Sequence, residues 1–171
     1  HYIYKSGTEL GMFGLRHPVT GEWYDAPLPP DNTVWYKGGF ARAVLKAYVG
    51  ASYTEELPWN DLDVVFIGNE EEARHVAERM GVDPEGVELI GEKDGSLDFN
   101  EYAHGRDITM NMVCLGNDGL HYSPDAYSAA KTGFIELIAE YIPNRAIYST
   151  DRMKHRKLNL VKPRGAMRYD K

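Results

Sequence analysis

The stretch Asp61-Leu62-Asp63-Val64-Val65-Phe66-Ile67-Gly68-Asn69 constrains the fold more than any other in the chain. The continuous apolar run Val64 to Ile67 extends a strand that begins at Asp61, and Gly68 stops it. Asn69 has the side chain that caps a new helix, because its carbonyl accepts from backbone N–H groups that have no partner one turn earlier. The helix so capped spans Glu70 to Met80, and Gly81 closes it. Upstream, Val34-Trp35-Tyr36 forms a short strand ending at Gly38-Gly39. Phe40, Ala41, Val44, Leu45 and Tyr48 then recur at helical spacing, and Gly50 ends that helix. A buried strand between two helices requires a sheet with helices packed on it.

The remaining segments are read in the same way. Residues 14–24 predict two short strands around a Pro/Gly turn, followed by a proline-rich loop over 26–32. Val87 to Ile90, Ser96 to Tyr102 and Gly119 to Tyr122 are expected to be strands or extended. Asp107 to Leu115 is expected to be a helix with Met110, Val113 and Cys114 inward. Ala126 to Ala130 is expected to be helical up to Gly133. Phe134 to Ile142 fits strand or helix, and Ile147 to Leu160 reads as a basic helix. The order gives an α+β domain with a mixed sheet. Within it, residues 1–33 form a β-hairpin extension, 34–143 the main body and 144–171 a basic helix and tail.

Charge is unevenly spread. Residues 152–171 hold eight of the 19 Lys+Arg and one of the 26 Asp+Glu, a net +7; with −7 overall, residues 1–151 carry −14. A basic tail on an acidic body points to a polyanionic partner; a solvated polar helix is the plain alternative. No apolar run approaches the roughly 20 residues that span a bilayer, so no membrane is expected. The single cysteine, Cys114, excludes an internal disulfide framework. It fits a reducing, cytoplasmic setting and reads as a buried small hydrophobe.

Asp61 and Asp63 lie two apart on a strand, so their carboxylates share a face. Side by side they repel unless a cation lies between them. Magnesium suits such a pair, because it prefers a few carboxylates together with substrate phosphates; manganese is the substitute. Alone, Asp-x-Asp is common on solvated strand edges. Context adds to it: Gly38-Gly39 lets backbone approach a phosphate at a helix start, and Arg42 lies one turn in, within reach of phosphate or of the carboxylates.

Gly38-Gly39-Phe40-Ala41-Arg42 followed by Asn60-Asp61-Leu62-Asp63-Val64-Val65-Phe66 resembles the first motif of the class II CCA-adding enzymes and bacterial poly(A) polymerases. Gly105-Arg106-Asp107-Ile108-Thr109-Met110-Asn111 is similar to the family's Arg-Arg-Asp-x-x-x-Asn motif. The resemblance covers about residues 34–115. It implies a nucleotidyltransferase-like mixed β-sheet flanked by helices. It also implies transfer of a nucleoside monophosphate from a nucleoside triphosphate to a hydroxyl, with an RNA or tRNA-like 3′ end as the acceptor. By residue, it implies metal binding at Asp61 and Asp63, triphosphate binding at Gly38, Gly39 and Arg42, and nucleotide contacts from Arg106, Asp107 and Asn111. A third metal carboxylate is expected from a neighbouring strand, at Asp98 or, as the substitute, Glu101.

The sequence departs from that pattern at Ala43, where the family has Asp, and at Gly105, where it has Arg. Thr150-Asp151-Arg152-Met153-Lys154 is an imperfect counterpart of the family's base-selecting Glu-Asp-x-x-Arg. Transfer to a small molecule or protein, or nucleotide and RNA binding without catalysis, are the alternatives. His75 has no second His at metal spacing and is expected at the surface; His104, just before Gly105-Arg106, could touch phosphate but reads first as a surface loop residue, and His121 and His155 show no visible partner.

Overall fold

The computed structural model describes residues 3–7, 12–16, 23–51, 62–90, 97–136, 138, 141–142, 159–160 and 168–169. Its main sheet has five strands. They are β4 (Val34–Lys37), β5 (Asp63–Ile67), β6 (Val87–Ile90), β7 (Val113–Gly116) and β8 (Gly119–Tyr122), ordered β6-β5-β4-β7-β8. The β5–β6 pair is parallel, and the β4–β5, β4–β7 and β7–β8 pairs are antiparallel. The sheet is therefore mixed and the fold is α+β, as the order of elements predicts.

Helix α1 (Gly38–Val49) leaves β4 directly and buries Phe40, Ala41, Ala43, Val44 and Leu45. Full burial of a side chain such as Phe40 contributes about 1.5–3 kcal/mol. The ring of Phe40 meets Tyr36 edge-on, with centroids 4.9 Å apart. Helix α2 (Glu70–Met80) joins β5 to its parallel neighbour β6. Asn69 Oδ1 accepts from Glu72 N–H at 2.8 Å, so the cap expected from the sequence is present. Helix α4 (Pro124–Thr132) is capped by Ser123 Oγ, which accepts from Ala126 N–H at 3.1 Å.

A second sheet, β1 (Ile3–Gly7), β2 (Met12–Arg16) and β3 (Trp23–Pro27), is an antiparallel meander. The expected hairpin thus gains a strand at its outer edge. Phe13, Leu15 and Ala26 pack into one apolar cluster with Tyr36, Phe40 and Val44, and the Tyr36 hydroxyl donates to Pro27 O at 2.5 Å. The meander is fastened to the main sheet by apolar packing and that bond.

Two expectations are corrected. Leu97 to Tyr102 is not a strand, Ser96 lying outside the described residues: Phe99–His104 forms helix α3, and Asp98 caps it by accepting from Glu101 N–H at 3.2 Å. Asp107 to Leu115 is not a helix: a 3-10 turn over Thr109–Asn111 leads into β7. Met110 and Val113 are buried beside α1 and α4, whereas Cys114 joins Trp35, Val65 and Tyr102 on the opposite face. Strand alternation, not helical periodicity, separates Val113 from Cys114.

Beyond α4, β9 (Phe134–Ile135) pairs in parallel with the short strand Asn159–Leu160, and Tyr141–Ile142 pairs with Arg168–Tyr169. Extended Asn159–Leu160 departs from the expected basic helix. The rest of Ile147 to Leu160, the Thr150-to-Lys154 segment and most of the basic tail lie outside the described residues. Among the described residues no helix is long and apolar enough to cross a membrane.

Candidate functional site

The turn from β4 into α1 is set by Gly38, whose φ is +64°, a conformation that costs any residue with a Cβ. A Cβ at Gly38 would also come within 3.0 Å of Asp63 Oδ2. Gly86, at the end of the 3-10 turn Pro84–Gly86 before β6, stands on the other side: its Cβ would come within 3.1 Å of Asp63 Oδ1. The Asp63 carboxylate is thus flanked by two glycine backbones, one of them the glycine turn singled out from the sequence. Asp61 lies outside the described residues.

Helix α1 starts without a side-chain cap: Lys37 occupies the cap position and makes no side-chain capping bond, and the first turn holds no acidic residue. Asn69, Asp98 and Ser123 cap the other three α-helices. Gly38 and Gly39 in that first turn leave backbone amides suited to an anion.

The two sequence motifs meet in space. Arg42 Nη1 donates to Asn111 Oδ1 at 2.7 Å, and Asn111 Nδ2 donates to Asp107 Oδ1 at 2.8 Å. Asp107 Oδ1 also accepts from Ile108 N–H at 2.7 Å. The loop that carries these residues is clamped from behind. Thr109 N–H donates to Glu136 O at 2.9 Å, Glu136 N–H to Thr109 Oγ1 at 3.0 Å and Ile138 N–H to Asp107 O at 2.8 Å. Thr109 is buried, so these bonds form away from competing water.

Arg106 belongs to a different group. Its Nη1 lies 3.0 Å from Glu88 Oε1, its Nε donates to Tyr102 O at 3.2 Å, and its guanidinium stacks 4.2 Å over the Tyr102 ring. Lys37 Nζ lies 3.3 Å from the same Glu88 oxygen. Burial alone would raise the Glu88 pKa, but Arg106 and Lys37 outweigh it and hold the carboxyl below its usual range. Glu88 was not singled out from the sequence. Its flanking residues, Val87 and Leu89, make the segment read as an ordinary strand, and only alternation hints that Glu88 faces elsewhere.

Asp98 is engaged at the α3 N-terminus and is exposed, so the strand that was to present it to a metal does not exist. Glu101 is likewise exposed, on α3. His104 Nδ1 is 2.7 Å from Asn100 O within its own helix, and His121 Nε2 is 3.0 Å from Asp118 Oδ2. The second contact supplies a partner that the sequence did not reveal. His75 is exposed, and His155 lies outside the described residues. Cys114 is buried, and that burial, with the Asp118 charge, pushes its thiol up to about 12. This is the state of a packing residue, not of a nucleophile.

Among the described residues no group of three His, Cys, Asp or Glu side chains gathers closely enough to hold a metal ion. The chemistry of Asp63 nevertheless fits magnesium, which binds proteins through one or two carboxylates and takes further oxygens from phosphate and water. The close glycine backbones on either side of Asp63 suit a compact oxygen-ligated ion and a phosphate chain. No protein-family model matches the sequence, and no curated protein matches it significantly.

Proposed function

We propose that this chain is a metal-dependent nucleotidyltransferase. It would move a nucleoside monophosphate from a nucleoside triphosphate to a hydroxyl and release pyrophosphate. The observation that carries this reading is the hydrogen-bonded chain Arg42–Asn111–Asp107, which unites residues of two motifs read separately in the sequence. The contact of Asp63 with the Gly38 turn supports it independently.

In this reading the amides of Gly38 and Gly39 receive the triphosphate at the uncapped start of α1. Asp107 and Asn111 contact the sugar, and Arg42 fixes the orientation of Asn111. Arg106, stacked on Tyr102, presents positive charge to the nucleotide. Asp63, with Asp61, would hold magnesium or manganese, and Asp98 is not assigned to that role. The metal, when bound, neutralises charge developing on the phosphates and activates the acceptor hydroxyl. The acceptor proposed is an RNA 3′ end of tRNA-like type, as the resemblance of the motifs implies; the +7 carried by residues 152–171 supports a polyanionic partner. Transfer to a small molecule or protein is favoured instead if that tail proves dispensable.

A second reading, a nucleotide- or RNA-binding module without catalysis, is favoured by Ala43. This residue is buried in the apolar cluster around Tyr36 and Phe40, where the family that the motifs resemble has a carboxylate. Incubation with each labelled triphosphate and total RNA, followed by sizing of the product, separates the two. Transfer that disappears in Asp63→Asn and Asp61→Asn supports the enzyme. Nucleotide binding with no pyrophosphate released, across RNA, protein and small-molecule acceptors, selects the binding module.

A further inference from the structure

We propose that Tyr48, Tyr122 and Tyr127 form a stacking platform for the unpaired bases of a single-stranded RNA, with Lys131 beside it for the phosphate backbone. As the acceptor-strand site it rests on the transfer to RNA proposed above; as an RNA-binding site it stands apart from that reading.

Three elements bring the rings together. Strand register pairs Tyr122, at the end of edge strand β8, with Val113, which packs toward α1 and α4. Opposed residues share a face of the sheet, so Tyr122 faces those two helices. Its ring centroid lies 5.7 Å from that of Tyr48 on the last turn of α1 and 6.0 Å from that of Tyr127 on α4. Lys131, one turn further along α4, has Nζ 5.9 Å from the centre of the Tyr127 ring. The ring planes are tilted by 46° and 30°, so the rings touch without covering one another face to face. Tyr48 is 61% exposed and Tyr127 37%, while Tyr122 is half-buried against the apolar cluster beneath.

Single exposed apolar side chains are ordinary, whereas three touching rings make a contiguous patch. The charge around this patch is the reverse of the body's. Helix α1, strand β8 and helix α4 carry Arg42, Lys46 and Lys131 against Asp125, three minus one or +2, whereas residues 1–151 carry −14. A basic aromatic surface on an acidic chain suits an anionic ligand with planar rings. Every base has a π-face, and a duplex hides those faces, so the ligand is a single strand. Proline-rich peptides also dock on aromatic rows, but they have no use for the cations. The place suits an acceptor strand. Met110, from the turn that carries Asn111, packs with Ala126, Ala129 and Ala130 of α4. Helix α1 runs from Gly38 to Tyr48, about 15 Å at 1.5 Å per residue.

The test compares labelled oligoadenylate with an abasic strand of the same length, by fluorescence anisotropy with the full chain in magnesium-free buffer. The abasic strand keeps the phosphates and so reports the charge of Lys131 and of the tail. The wild type is expected to bind oligoadenylate at least about tenfold more tightly than the abasic strand. Tyr48→Ala and Tyr127→Ala are each expected to weaken oligoadenylate binding at least about fivefold and to leave the abasic strand within about twofold. Tyr48→Phe and Tyr127→Phe keep the ring faces and are expected to bind as the wild type does. Lys131→Ala is expected to weaken both strands alike and to lower the salt dependence by about one charge.

Equal binding of the two strands by the wild type overturns the proposal. So does a loss in the phenylalanine variants as large as in the alanine ones, since the hydroxyls rather than the ring faces would then hold the ligand. A proline-rich peptide that displaces oligoadenylate and binds more tightly also overturns it, in favour of a protein partner. Should circular dichroism show the alanine variants unfolded, Tyr48→Leu and Tyr127→Leu decide: leucine covers the same surface without a ring, so the same loss is expected and wild-type binding overturns the inference. Asp63→Asn separates the two levels of the argument. If the tyrosine variants lose RNA while the wild type transfers no nucleotide to it, the platform stands and the transfer reading falls. If the wild type labels RNA, Asp63→Asn does not, and the tyrosine variants bind RNA unchanged, only the platform falls.

Discussion

Arg42 Nη1 lies 2.7 Å from Asn111 Oδ1, and this bond joins the helix after the glycine turn to a loop 69 positions further along the chain. Neither element needs the other for its own backbone hydrogen bonds. The bond is therefore a tertiary choice, made between part-buried side chains and extended by Asn111 to Asp107.

Arg42→Ala and Asn111→Ala are each expected to lower stability by about 1–2 kcal/mol, because each leaves a part-buried polar partner behind. Their double variant is expected to show coupling of about 0.5–3 kcal/mol in urea unfolding. Costs that simply add would mean that the bond does not join the two elements.

Gly38→Ala is expected to cost more than Gly50→Ala. Both glycines have nearly the same left-handed φ, +64° and +68°, so both substitutions carry a backbone penalty of about 1–2 kcal/mol. A Cβ at Gly50 meets nothing within 4 Å, whereas at Gly38 it comes within 3.0 Å of Asp63 Oδ2. The excess cost of Gly38→Ala in denaturant unfolding measures that crowding. Manganese binding should weaken in Gly38→Ala and stay unchanged in Gly50→Ala. Equal unfolding costs would separate the glycine turn from Asp63.

Much of this was legible in the sequence, and the failures have specific causes. Val64 to Ile67, the Asn69 cap and the α1 stripe from Phe40 to Leu45 carry strong local signals that tertiary packing does not override, whereas Tyr48, the last member of the expected stripe, is exposed near the end of the helix. Around Asp98, apolar Leu97 and Phe99 imitated strand alternation; the cap-and-Glu spacing of Asp98 to Glu101 was the better signal, and it marks a helix start. Around Met110, residues three and four apart matched a helical period although they lie on a turn and a strand. At the candidate site, Arg42, Asp107 and Asn111 stood out by motif. Glu88 did not, because an ion pair spanning 51 residues to Lys37 leaves no trace in local periodicity. The departures also differ in their physical setting. A Cβ at Gly105 would make only ordinary contacts of 3.5 Å, so the fold accepts a side chain there. Ala43 lies within the core, where an unpaired carboxylate is costly.

Cys114 is expected to resist alkylation in the folded protein. At pH 8 its reaction with iodoacetamide should be at least about a hundredfold slower than in denaturant, since little thiolate forms and access is closed. Its raised pKa also makes a signed prediction for stability. The folded state keeps the proton that the unfolded state releases, so the contribution is complete below the ordinary thiol value of 9.0 and declines as pH rises toward about 12. Urea unfolding of wild type and Cys114→Ala from pH 8 to 10.5 checks this. The stability difference between the two proteins should shift against the wild type as pH rises, and a constant difference would contradict a buried thiol.

Glu88 gives the opposite dependence at the acid end. Its folded pKa lies below the ordinary 4.5, because Arg106 and Lys37 outweigh the effect of burial. The unfolded state then binds the proton first as pH falls, so stability is present above that ordinary value and is lost as pH drops through the lower folded one. Glu88→Gln cannot titrate. Its stability deficit relative to wild type should be fully developed at pH 7 and should shrink by pH 3.5 in urea unfolding. Salt should also reduce the deficit at pH 7, because the ion pairs are only partly buried. A deficit equal at both pH values would mean that Glu88 contributes through packing alone, and that neither Lys37 nor Arg106 is held by its charge.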